Sequence, residues 1–200
     1  MKNLQVFKEL TGIDREKINY NIIVSTRNSK TDIDKYLLFV RMSEIFDNTL
    51  SDFCFYLDVK KELLLCMKCS TKAGKFYVNN PITFGGITGT AVLKEGFYKD
   101  SHTVIGNYRF GIYDYELLQT NSVDYYRDGN RDDKIDRGKI YNGLVGINVH
   151  TSGLRNIVDN WSAGCLVIYR PEWLWFKDNY LKLGTVFSIE LKSLKELLLP

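Results

Sequence analysis

The sequence predicts a mainly β domain, a sandwich or barrel of short strands with a few short helices and a small N-terminal appendage. Three observations carry that expectation. Aromatic residues are abundant, with 13 Tyr, 11 Phe and 3 Trp, and such side chains suit pleated, half-buried surfaces. Proline is scarce, at 3 residues. Short apolar segments recur from Asp52 onward, with Gly or Pro between them at Gly74, Pro81, Gly85, Gly86 and Gly89.

Taken in order, residues 1–45 read as the appendage. VFKEL and DKYLLFVRMSEIF suit short amphipathic helices, joined by a polar stretch from Ser25 to Asp34, and a strand over Asn21–Ser25 is an equal alternative. Residues 46–200 read as the main domain. DFCFYLDV and ELLLCMKC, with Lys60 and Lys61 between them, form a β-hairpin pattern. TAVLKEG, HTVIGNYRFGIY, DYELLQT, LVGINVH, GCLVIYR and TVFSIEL read as further strands of a mostly antiparallel fold. PEWLWFKDNYLKL is the one clear late helix, with Pro171 near its start, where a helix tolerates it.

Composition narrows the function. Two hundred residues with a hydrophobic content of 44% support one packed domain, and 27 basic against 24 acidic residues leave a net charge of only +3. That balance gives no footprint for nucleic acid. No apolar run approaches the roughly 18 residues that a membrane span requires. The charged N-terminus does not read as a secretory signal, and 4 cysteines are too sparse for a disulfide scaffold. The expectation is synthesis in the cytoplasm.

The densest chemical signal is GINVHTSG followed by DNWSAGCLVI, residues 146–153 and 159–168. A strand ends at His150, a polar loop follows, and a second strand opens at Cys165. Neighbouring strands would bring imidazole and thiol to one sheet edge. A cysteine nucleophile needs such a base, because a free thiol holds little thiolate at neutral pH. Ala163 and Gly164 leave room for a carbonyl, and backbone N–H groups there suit an oxyanion. The alternative is structural: cysteine is often a small buried hydrophobe, and His150 a satisfied core histidine.

In these residues the sequence resembles the L,D-transpeptidase catalytic domain family. Its signature is a His, a variable loop and then Ser/Thr-His-Gly-Cys, which His150, Ser162, Gly164 and Cys165 match. FCFYLDVKKELLLCMKCSTKAGKFYV resembles the opening strands, and the likeness covers roughly residues 50–190. The resemblance implies an L,D-transpeptidase-like β-sandwich or barrel. It implies Cys165 as nucleophile, His150 as base, and Ser162 orienting histidine or substrate. The reaction would be acyl transfer through a thioester on peptidoglycan peptide stems, ending in cross-linking, exchange or hydrolysis. Ala163 replaces the family's second histidine, Thr151 the glycine after the first, and Leu166, Val167 and Ile168 follow the cysteine where an arginine is common. These departures mark a divergent branch of the phage-borne or secreted-effector kind, reaching the cell wall by lysis or non-classical secretion. Thr151 and Trp161 are the candidate substrate contacts. A non-catalytic cell-wall-binding or virion-associated β-module is the competing function.

No cofactor is required by this chemistry, but Asp128, Asn130, Asp132 and Asp136 occupy positions 1, 3, 5 and 9 of a loop, a spacing that suits a structural calcium ion. Asp133 stands where the usual glycine makes the sharp turn, and Lys139 where an EF-hand has Glu. A solvated acidic turn is the other reading. Cys66 and Cys69 have the spacing of half a zinc site, yet residues three apart on a strand face opposite sides. His102 reads as an exposed loop histidine or a second site histidine. Trp161, Trp173 and Trp175 read as groove lining or as packing.

Overall fold

The computed structural model describes residues 35–58, 63–109 and 112–198. In chain order its strands are β1 (Lys35–Arg41), β2 (Asp52–Asp58), β3 (Leu63–Ser70), β4 (Thr83–Phe84), β5 (Ile87–Thr88), β6 (Thr90–Leu93) and β7 (Gly96–Arg109). There follow β8 (Ile112–Gln119), β9 (Val123–Asp128), β10 (Tyr141–Gly143), β11 (Val149–Thr151), β12 (Leu166–Ile168) and β13 (Val186–Ser193). The helices are α1 (Lys75–Asn79), α2 (Arg170–Tyr180) and α3 (Leu194–Leu198), with a 3-10 turn at Asp159–Trp161.

Eight strands close into a barrel in the order β1-β13-β7-β8-β11-β12-β3-β2. A three-stranded sheet, β10-β9-β6, and the small β4-β5 hairpin stand beside it. The mainly β expectation therefore holds. Most pairings are antiparallel, but β1 runs parallel to β13 and β11 parallel to β12. The expected hairpin is β2-β3, with Cys54 opposite Met67.

The main core takes alternate residues from the strands, including Leu37, Phe39, Tyr56, Met67, Val149, Leu166, Ile168 and Ile189. Helix α2 adds Trp173 and Phe176, both fully buried. Pro171 sits in its first turn, and the Glu172 carboxylate accepts a hydrogen bond from the Lys68 N–H at 2.6 Å, which ties the helix to β3. Trp173 is thus core packing, while Trp175 is half exposed.

DKYLLFVRMSEIF does not form the expected helix. Its first half is β1, and Tyr36, Leu38 and Val40 enter a second cluster with Phe53, Phe55 and Leu197 while Leu37 and Phe39 enter the main core. A run that is apolar on both faces suits a barrel strand covered on both sides, whereas an amphipathic surface helix needs a polar face. The appendage expected over 1–45 consequently does not reach Lys35. The alternatives for Asn21–Ser25 and VFKEL lie outside the described residues.

A buried polar network pins the side sheet to the barrel. Arg41 on β1 donates to Glu95 Oε1 at 2.7 Å, to the Leu93 carbonyl at 2.8 Å and to Thr71 Oγ1 at 3.0 Å. Arg137 forks across Glu44 and Glu95. Burial pushes the Glu95 carboxyl up, but the Arg137 hydrogen bonds and the Arg41 charge outweigh it and hold its pKa below the usual range.

Candidate active site

Strands β11 and β12 are neighbours, and their parallel register sets Val149 opposite Leu166 and His150 opposite Val167. Val149, Leu166 and Ile168 face the main core. Val167 faces away from it and clusters with Leu50 and Val158, against which Cys165 and Tyr169 also pack. Alternation along β11 therefore turns His150 to that same outer face. Cys165 stands one residue ahead of β12 and packs against the Val167 cluster, while the pocket that it lines does not include His150.

His150 is buried, at 1% exposure, and its Nδ1–H donates to the Thr151 carbonyl at 2.8 Å. In the neutral ring this leaves Nε2 as the nitrogen with a lone pair, the form a general base requires. Thr151 is buried too, and its hydroxyl donates to the Ser152 carbonyl at 2.9 Å.

The turn that presents Cys165 is fixed by two residues. The Ser162 hydroxyl, 1% exposed, donates to the Cys165 carbonyl at 2.7 Å and accepts from the Gly164 N–H at 3.0 Å. Its proton goes to the thiol-bearing turn itself, so this serine positions the cysteine backbone where the resemblance implied histidine or substrate. The Gly164 N–H is correspondingly engaged within the turn. Gly164 has φ +139°, and a Cβ there would lie 2.2 Å from the Ala91 carbonyl oxygen on β6. Only glycine lets the turn lie this close to the side sheet.

Cys165 is the one half-exposed thiol of the four cysteines, and its Sγ–H donates to the Gly146 carbonyl at 3.4 Å. It lines a pocket of about 110 Å³ with Ala163, Gly164, Val145, Gly146 and Ile147. Ala91 and Arg127 from the side sheet and Ile82 and Phe84 beside the β4-β5 turn complete the wall. The other thiols are buried in strands. Cys54 and Cys69 point into the main core and Cys66 into the second cluster, so Cys66 and Cys69 do face opposite sides. Burial raises all three thiol pKa values.

The pocket wall at 145–147 is held by groups that sequence reading undervalued. Gln119 Oε1 accepts from the N–H groups of Val145, Gly146 and Ile147 at 3.2, 2.9 and 3.0 Å. Its amide nitrogen donates to the Gly143 carbonyl at 2.9 Å. His102, expected to be exposed, is fully buried within β7. Its Nε2–H donates to the Ile147 carbonyl at 2.7 Å, and Nδ1 lies 2.8 Å from Ser101 Oγ. Burial, partly opposed by the Ile147 hydrogen bond, lowers the pKa of His102 to about 4. A polar amide inside the otherwise strand-like DYELLQT was the available signal for Gln119. For His102 there was none, because its partner is 45 residues away.

Trp161 lies on a different groove, lined with Gly153, Leu154, Arg155, Ile157 and Arg170, and Cys165 is not part of that lining. Gly153 packs against its indole, since a Cβ there would come within 2.9 Å of Nε1.

In the acidic loop one oxygen of each of Asp128, Asn130, Asp132 and Asp136 accepts from the loop backbone. Asp128, 3% exposed, accepts from the Asp136 N–H at 2.8 Å. Asn130 accepts from Asp132 N–H, Asp132 from Lys134 N–H and Asp136 from Gly138 N–H. Asp133 makes the sharp turn at φ 62° without glycine. Among the described residues no group of three or more His, Cys, Asp or Glu side chains is arranged to hold a metal ion. None of the described helices is long and apolar enough to cross a membrane.

No protein-family model matches the sequence, and no curated protein matches it. Among solved structures, this chain is similar to the crystal structure of an L,D-transpeptidase from Xylanimonas cellulosilytica, at a TM-score of 0.38 and 13% identity. The alignment covers 81% of this chain and 63% of that one, so this chain spans less than two thirds of its length.

Proposed function

We propose that this chain is a cysteine acyltransferase of the L,D-transpeptidase type, acting on peptidoglycan peptide stems. The observation that carries the reading is Cys165: three thiols are buried in strands, while this one stands half exposed at a pocket, one residue ahead of the strand that pairs with the His150 strand. The tautomer of His150, with Nδ1–H tied to the Thr151 carbonyl, supports Nε2 as the atom that takes the thiol proton. The thiolate then attacks a stem carbonyl. A tetrahedral oxyanion forms, and its collapse breaks the peptide bond while His150 returns the proton to the leaving amine. The thioester is resolved by an amine, giving a cross-link or exchange, or by water, giving hydrolysis. The enzyme would reach the wall on lysis or by non-classical secretion.

The test is incubation with peptidoglycan fragments bearing tetrapeptide and pentapeptide stems, read by mass spectrometry, with Cys165→Ala alongside. Loss of a terminal D-residue, exchange or a new cross-link, absent in the variant, supports the reading. Unchanged fragments that co-sediment with the protein refute catalysis and leave a wall-binding module.

A further inference from the structure

The Cys165 pocket has a cationic wall that acyl transfer itself leaves unused. Arg127 on β9 lines the pocket together with the 163–165 turn. Its guanidinium carbon lies over the Phe84 ring at 5.7 Å and over the Tyr125 ring at 5.5 Å. Nη1 donates to the Gly89 carbonyl at 2.8 Å. Nε and Nη2 are buried and have no hydrogen-bond partner. Buried donors are almost always satisfied, so two on one side chain mark a place where a partner belongs.

The identity of the unsatisfied atoms matters. In a guanidinium, Nε–H and the adjacent Nη2–H lie side by side and form a fork that matches the two oxygens of a carboxylate. The third nitrogen, by bonding Gly89, fixes the plane of the group and leaves that fork free. Among the described residues no carboxylate pairs with Arg127, although acidic neighbours claim Arg41 and Arg137. The small pocket suits a short carboxylate-bearing fragment better than a sugar ring.

We propose that Arg127 is the carboxylate receptor of the Cys165 site, binding a free carboxylate of the substrate through Nε and Nη2. It thereby selects stems with an unamidated carboxyl close to the bond attacked. The choice of peptide stems as ligand rests on the acyl-transfer reading; the recognition of a carboxylate does not.

The test compares alkylation of Cys165 by iodoacetate, which carries a carboxylate, and by neutral iodoacetamide, using the full chain. Arg127→Gln lowers the ratio of the two rates about tenfold, as expected when a charged hydrogen-bonding partner is lost. It leaves the iodoacetamide rate within about twofold, and Arg127→Lys restores part of the ratio. A ratio unchanged in Arg127→Gln overturns the proposal. Arg127→Met, whose apolar stem still covers the two rings, replaces the glutamine variant if circular dichroism shows that it does not fold.

Should Cys165 resist iodoacetamide, acyl transfer fails, and calorimetry decides the fate of Arg127 independently. A tetrapeptide stem with free carboxyls binds Cys165→Ala about tenfold more tightly than its amidated counterpart, and Arg127→Gln in that background removes the preference. Equal affinities overturn the proposal, and binding of neither peptide overturns the choice of stems as the ligand.

Discussion

His102 makes the fold acid-sensitive at the wall of the Cys165 pocket. Its pKa in the folded protein is about 4, against about 6.5 for an unperturbed histidine. Above pH 6.5 both folded and unfolded chains hold the ring neutral, and the group contributes no pH dependence. As pH falls through 6.5 the unfolded chain takes up a proton that the folded chain refuses, so stability is lost progressively down to about pH 4. Each pKa unit corresponds to about 1.4 kcal/mol. Integrating between the two values gives a loss of about 2 kcal/mol by pH 5, approaching about 3 kcal/mol at pH 4. Urea unfolding at pH 7.5 and pH 5 measures it, with His102→Gln as the non-titrating comparison. The wild type should lose about 2 kcal/mol more than the variant over that interval. Equal losses would refute the reasoning, as would a His102 proton resonance that titrates near 6.5.

Two further predictions concern the site. Gly164→Ala combines a positive φ with a Cβ at 2.2 Å from the Ala91 carbonyl, so the turn must leave the side sheet. The expected cost is about 2 kcal/mol or more, with loss of the proposed acyl transfer, and thermal unfolding together with the stem-fragment assay reads both. Native-state alkylation followed by peptide mapping should find the adduct at Cys165 and none at Cys54, Cys66 or Cys69, whose thiols burial keeps protonated. Rapid labelling of any of those three would contradict the strand placement.

Local signals carried the parts of the fold that local chemistry decides. DFCFYLDV and ELLLCMKC alternate and then run apolar because β2 and β3 pair with each other, and Pro171 marks the first turn of α2. KYLLFVR misled because both faces of β1 are covered, and a continuous apolar run carries no period that separates strand from helix. The candidate site divides in the same way. His150, Ser162, Gly164 and Cys165 lie within sixteen residues, and their motif is legible as text. Arg127 gave no signal, because its role depends on a pocket assembled from β9, the 145–147 segment and the 163–165 turn. The spacing of Asp128, Asn130, Asp132 and Asp136 was legible, but the loop amides that one oxygen of each side chain meets were not, because spacing does not report backbone direction.

The parallel pairing of β1 with β13 sets Tyr36 beside Ser188, so the first and last barrel strands described are immediate neighbours. Contacts between such distant parts of a chain form slowly, because the entropy of closing the intervening loop is lost before the pairing can return any stabilisation. During synthesis β13 emerges after every other barrel strand, and until then β1 and β7 each present an unpaired edge to the surroundings. The nascent chain is therefore most prone to aggregate just before its final strand arrives, and slower elongation over the last segment would prolong that exposure.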